Sequence, residues 1–176
     1  MSSQAKTSRS HDRRTRLVAI SAMFAALALI FSYIEVLVPI PLPIPGIKLG
    51  LANLVILIAI YRMGFRYSFT INMVRIVAAG LLFSGVFGMI YSLAGGILSI
   101  IVMYLLYRTN KFSMVGVSMA GGVCHNLGQL MTAVVLLENT GILSYFPVLL
   151  FSGLITGILI GILAYVIEKR LPAFTD

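Results

Sequence analysis

The chain has 176 residues, 60% hydrophobic and only 10% charged, with a mean hydropathy of +1.04 and a net charge of +8. A soluble domain covers its surface with roughly a quarter charged residues, so this composition excludes one; the single cysteine, Cys124, excludes an internal disulfide. The apolar residues run in blocks and never alternate over about ten residues as a transmembrane strand does, so the predicted fold class is all-α, a polytopic membrane bundle of six transmembrane helices.

Residues 1–16 form a basic tail carrying Lys6, Arg9, Arg13, Arg14 and Arg16. The first span is Leu17–Val38. Its apolar region exceeds the roughly 7–15 residues of a signal-peptide core and further spans follow, so it reads as a membrane helix. Pro39, Pro41, Pro43 and Pro45 then hold an extended connector, either a lid over an outer pocket or only a stiff link. The second span is Ile47–Met63 and the third Tyr67–Phe83, with Arg75 near its middle. The fourth is Gly85–Tyr107, the fifth Met114–Leu137 and the sixth Tyr145–Ile167. Residues 17–170 form one transmembrane domain, and 171–176 a short second tail.

Charge orients this map. With both termini cytoplasmic, the inner segments hold the N-terminal cluster, Arg62, Arg66, Arg108, Lys111, Lys169 and Arg170, whereas Lys48, Glu35 and Glu138 fall outside. That asymmetry follows the positive-inside rule and explains the basic balance without nucleic acid.

Polar residues then mark candidate sites, because a bilayer tolerates them only on interior faces. Ser118, Gly122, His125, Gln129 and Thr132 share one face of span five, with Asn126 beside it. Ser68, Asn72, Arg75 and Ala79 repeat the spacing in span three, and Ser21, Ala25, Ala28, Ser32 and Glu35 do so in span one. Gly88, Ser92, Gly96 and Ser99 form a small-residue face in span four, and Gly153, Gly157 and Gly161 a doubled G-x-x-x-G in span six. An arginine at mid-membrane costs roughly 2.5–3.5 kcal/mol on insertion scales, so Arg75 should face the bundle. Two roles are open to it: bracing the bundle against Glu35, Glu138 or backbone carbonyls, or binding an anionic substrate. His125, Asn126 and Gln129 form either a ligand contact or an interhelical hydrogen-bond cluster. Lys48 and Asn53 begin span two at the outer face, where Lys48 either meets an anion or snorkels to the headgroups.

Neither a metal nor a catalytic site is expected. The second histidine, His11, lies in the tail, too far from His125 to complete the three or four ligands a metal needs. Cys124 and His125 are adjacent, so they point about 100° apart on a helix and do not form a nucleophile–base pair. No phosphate-cradling G-x-x-x-x-G-K-[ST] loop is present.

Pro43-Ile-Pro45-Gly46-Ile-Lys48-Leu-Gly50-Leu-Ala-Asn53, Arg75, Ser92-Leu-Ala-Gly95-Gly96 and His125-Asn126-Leu-Gly-Gln129 resemble a bacterial membrane family labelled heptaprenyl diphosphate synthase component I and also "Gx transporter". Six helices after a basic N-terminus also look like the substrate-binding S subunits of energy-coupling factor transporters. That resemblance implies a bacterial cytoplasmic membrane protein without a cofactor of its own, partnered by a coupling subunit and two ATPases. It also implies that Ala22 and Ala26, one turn apart, dock the coupling subunit. The implied substrate is a small vitamin-, quinone- or isoprenoid-related compound contacted by Lys48, Asn53, Asn72, Arg75, His125, Asn126 and Gln129. The synthase label conflicts with the sequence as a catalytic description. Prenyl synthases hold magnesium on clustered aspartates, and the only aspartates here are Asp12 and Asp176. The alternative it implies is therefore a noncatalytic membrane accessory to heptaprenyl diphosphate synthesis.

Overall fold

Two glycines decide where this helical chain doubles back. Gly64 (φ 77°, ψ −178°) and Gly85 (φ 69°, ψ 175°) occupy a backbone region essentially closed to residues with a Cβ. Nothing lies within 4 Å of where a Cβ would stand at either position, so conformation rather than crowding calls for glycine there. The computed structural model describes residues 2–37 and 50–171, with side chains from Arg14 onward. Lys48, the prolines of 39–45 and the last five residues lie outside the described residues.

Among the described residues six α-helices follow one another: α1 (Ser2–Leu37), α2 (Leu51–Met63), α3 (Phe65–Ala79), α4 (Gly85–Thr109), α5 (Met114–Leu136) and α6 (Phe146–Arg170). A π turn, Gly80–Ser84, links α3 to α4, and a 3-10 turn, Thr140–Tyr145, precedes α6. Among the described residues no strand forms. Four helical segments of the described residues are long and apolar enough to cross a membrane, namely Arg14–Leu37, Phe65–Thr109, Met114–Leu136 and Thr140–Arg170. The second of these, Phe65–Thr109, is folded in two. Asn72 Nδ2 donates to Gly96 O at 3.2 Å, whereas 24 residues of straight helix would part them by about 36 Å. Leu51–Met63 is a shorter apolar helix, about 20 Å at about 1.5 Å per residue. Helix α1 also runs back through the basic tail to Ser2.

Contacts fix an up-and-down order. Gly95 of α4 meets His125 of α5, while Gly121 of α5 meets Met103 of α4. Gly153, Gly157 and Gly161 of α6 stand successively against Val123, Met119 and Val115 of α5, so those two helices run antiparallel at backbone contact. Arg62 closes one end by pairing with Glu168 (Nε–Oε1, 3.0 Å) and donating to the carbonyls of Glu168 and Leu171 at the end of α6. Carbonyls at a helix C-terminus lack the usual donor four residues on, and Glu168 O otherwise takes the Leu171 N–H at 3.3 Å, so the guanidinium acts as a cap on both. Helix α2 is the centre, with Ala52 and every residue from 54 to 60 buried.

Polarity is turned inside out relative to a soluble protein. Ser68, Asn72, Arg75, Ser99 and Ser118 are buried, whereas Met23 is 71% and Leu81 77% exposed. That distribution suits hydrocarbon outside and polar groups within.

Candidate functional site

A partly enclosed cavity lies at the end of the bundle where α1 and α3 finish and α2 and α4 begin, and all six helices line it. Its interior is about 40 Å³, and about 620 Å³ when the open mouth is included. At about 10–15 Å³ per water, the interior holds about three. A second space of about 20 Å³ adjoins it between Ser118, Met103 and Ile160, sharing Gly50, Asn53, Gly122 and Thr156 with the first.

Arg75 gives the cavity its charge. The side chain is 7% exposed, and its nearest partner stands one turn earlier on α3, where Asn72 Oδ1 accepts from Nη2 at 2.6 Å. Asn72 in turn donates to Gly96 O, so it fixes the guanidinium and joins α3 to α4 with one amide. Gly96 allows that approach, since a Cβ there would sit 2.7 Å from Ile76 Cδ1 and 3.0 Å from Asn72 Nδ2. Nη1 makes a long contact of 3.4 Å with Ser32 Oγ on α1. Among the described residues the guanidinium therefore donates only to neutral oxygens, and its buried Nε–H has no partner. A guanidinium carries five N–H donors, so this one retains capacity for an incoming acceptor.

Glu35 enters from the end of α1. Its Oε1 accepts the N–H of Leu51 at 2.7 Å, one of the donors that the first turn of α2 cannot use internally. Its charge also reaches Arg75, and both side chains line the cavity. From α5 come Gly122, His125 and Asn126, the last held by donation from Nδ2 to Leu149 O of α6 at 2.8 Å. Thr156 of α6 donates its hydroxyl to Ser152 O at 2.9 Å, which leaves its oxygen able to accept.

Of the residues singled out from sequence, Asn53, Arg75, His125 and Asn126 share the cavity wall. Asn72 stands behind Arg75. Gln129 turns toward α4, where a Cβ on Gly95 would lie 3.0 Å from its Cγ. Lys48 lies outside the described residues. Neither Glu35 nor Glu138 braces Arg75 by a hydrogen bond; Glu138 is exposed beyond α5. Ala22 and Ala26 are exposed on α1. Sequence spacing put Ser32, Glu35 and Ser92 on polar or small-residue faces without joining them to the site. Thr156, between Gly153 and Gly157, gave only that local signal.

The family model described as heptaprenyl diphosphate synthase component I matches residues 24–167, which takes in the cavity-lining residues from Ser32 to Thr156. No curated protein and no solved structure matches the chain.

Proposed function

This chain belongs to the heptaprenyl diphosphate synthase component I family, and we propose that it is the substrate-capturing membrane subunit of an energy-coupling factor importer for a small anion. The observation that carries this reading is Arg75, a buried cation with an unpartnered N–H among the described residues, in the wall of a polar cavity. In this reading all six helices cross the bacterial cytoplasmic membrane and both termini are cytoplasmic. The positive-inside rule supports that orientation, because Arg62, Arg66, Arg108, Lys111, Lys169 and Arg170 gather at the end opposite the cavity. The cavity then faces outward, where substrate arrives.

Arg75, His125 and Asn126 contact the ligand, Asn53 stands nearer the mouth, and Asn72 and Gln129 position the side chains in front of them. The substrate is a vitamin-, quinone- or isoprenoid-related compound with one anionic group. The sequence has no phosphate-binding loop, so ATP hydrolysis falls to two separate ATPases, linked through a coupling subunit docked on Ala22 and Ala26. The chain itself is not an enzyme in this reading.

Purification from native membranes tests it. Two ATPases and a coupling subunit should copurify, with a small anion identifiable by mass spectrometry. Rebinding of that compound should weaken at least tenfold in Arg75→Ala; affinity equal to wild type would refute the site. A second reading takes the family's description at its word: a noncatalytic membrane accessory to heptaprenyl diphosphate synthesis. It predicts that a soluble prenyl synthase copurifies instead.

A further inference from the structure

Hydroxyls inside a bilayer ordinarily return to a carbonyl of the preceding turn, because hydrocarbon offers them no other partner. Ser21, Ser32, Ser68 and Thr132 all do so. Ser118 does not. It is 5% exposed and makes no hydrogen bond among the described residues, yet it lines the second space beside the cavity. Ser99 Oγ also lacks a partner, but it is sealed and borders neither space. Asn53 borders both spaces and likewise leaves its side-chain amide without a hydrogen bond among the described residues. Thr156 adds an oxygen that can accept. Together these groups suit a partner that both gives and takes hydrogen bonds. Among the described residues no Lys, Arg, His, Asp or Glu borders the second space, so nothing there would balance a charge. Its volume of about 20 Å³ admits one or two water-sized groups. Ser118 precedes Gly122, which borders both spaces, by one turn of α5, about 6 Å.

We propose that the second space is a subsite for an uncharged hydroxyl or amide of the same substrate whose anion Arg75 takes. This rests on the anion-site reading above and narrows it: the substrate is a compact monoanion that also carries a neutral hydrogen-bonding group. Asn53, Ser118 and Thr156 bond that group, while Met103 and Ile160 pack on the carbon that bears it. A hydroxyl arriving from water exchanges its bonds there for equivalent ones. A methyl in its place leaves the polar side chains unpaired, so a purely aliphatic acid of the same length is the poorer ligand.

Saturation-transfer NMR on the full-length chain in nanodiscs tests the subsite. The probes are terminal hydroxy acids of two, three and four carbons, each beside the alkyl acid that has a methyl in place of the hydroxyl. At least one hydroxy acid should bind about fivefold more tightly than its methyl counterpart. Ser118→Ala, which keeps the Cβ packed against Gly161, should cut that preference to about twofold or less. Thr156→Val should lower it in the same direction, and serves if Ser118→Ala does not fold. Equal binding within every pair, or tighter binding of the methyl acids, overturns the subsite; if Arg75→Gln still abolishes binding, the anion site stands. A preference that persists in both variants overturns the assignment to Ser118 and Thr156. Binding that survives Arg75→Gln overturns the anion site itself, and no binding of any acid to any form overturns both.

Discussion

Replacing Asn72 with alanine should be far more costly than the loss of one small amide suggests. Asn72 is 1% exposed and makes two bonds, accepting from Arg75 Nη2 at 2.6 Å and donating to Gly96 O at 3.2 Å. A hydrogen bond to a charged group contributes about 1.5–3 kcal/mol, and an interhelical one inside a membrane about 0.6 kcal/mol. Asn72→Ala should therefore destabilise by about 2–3.5 kcal/mol, with most of the loss arising because a buried guanidinium is left short of an acceptor. Arg75→Met removes that charge, and in its background the same substitution should cost only about 0.6 kcal/mol. The coupling between the two sites is then about 1.5–3 kcal/mol. Unfolding of the purified protein in mixed micelles by increasing SDS, followed by far-ultraviolet circular dichroism, measures all four corners of the cycle. A cost below 1 kcal/mol for Asn72→Ala, or additive costs in the double variant, would refute the claim that Asn72 holds the arginine.

Two other predictions concern backbone geometry. In Gly157→Ala the new methyl would stand 2.6 Å from Met119 Cα and 2.9 Å from Ser118 O. Neither backbone atom can turn aside, so α5 and α6 must separate at an expected cost of about 1–3 kcal/mol, read in the same SDS titration; wild-type stability would mean the seam is looser than described. Gly85→Ala meets no atom within 4 Å but must abandon φ 69°. It should cost about 1–3 kcal/mol through the backbone alone, and Gly85→Ser, with a similar constraint, should behave alike. A stable Gly85→Ala chain would show that the reversal between α3 and α4 does not need that conformation.

The site was legible in pieces. Spacings of three and four placed Asn72 with Arg75, and Ser32 with Glu35, on common helical faces, because residues one turn apart stack whatever the helix meets. Those pairs do act together: Asn72 holds Arg75, and Ser32 and Glu35 reach the same cavity. What a face meets is not written in its spacing. His125 and Gln129 share a stripe on α5 and both side chains pack against Gly95 of α4, yet of the two it is His125 that lines the cavity. Glu35 reads as an outer-loop charge from sequence, and it became part of the site only because the chain returns and starts α2 beside it.

The sequence by itself determined that the chain is helical, that hydrocarbon is its solvent, and that Arg75 must turn inward. Composition and the length of apolar blocks act locally, and a buried charge has few alternatives in lipid. Tertiary structure decided which polar faces converge. That outcome depends on the two reversals at Gly64 and Gly85 and on the glycine contacts between α5 and α6, where small residues let backbones touch and so set which side chains face one space.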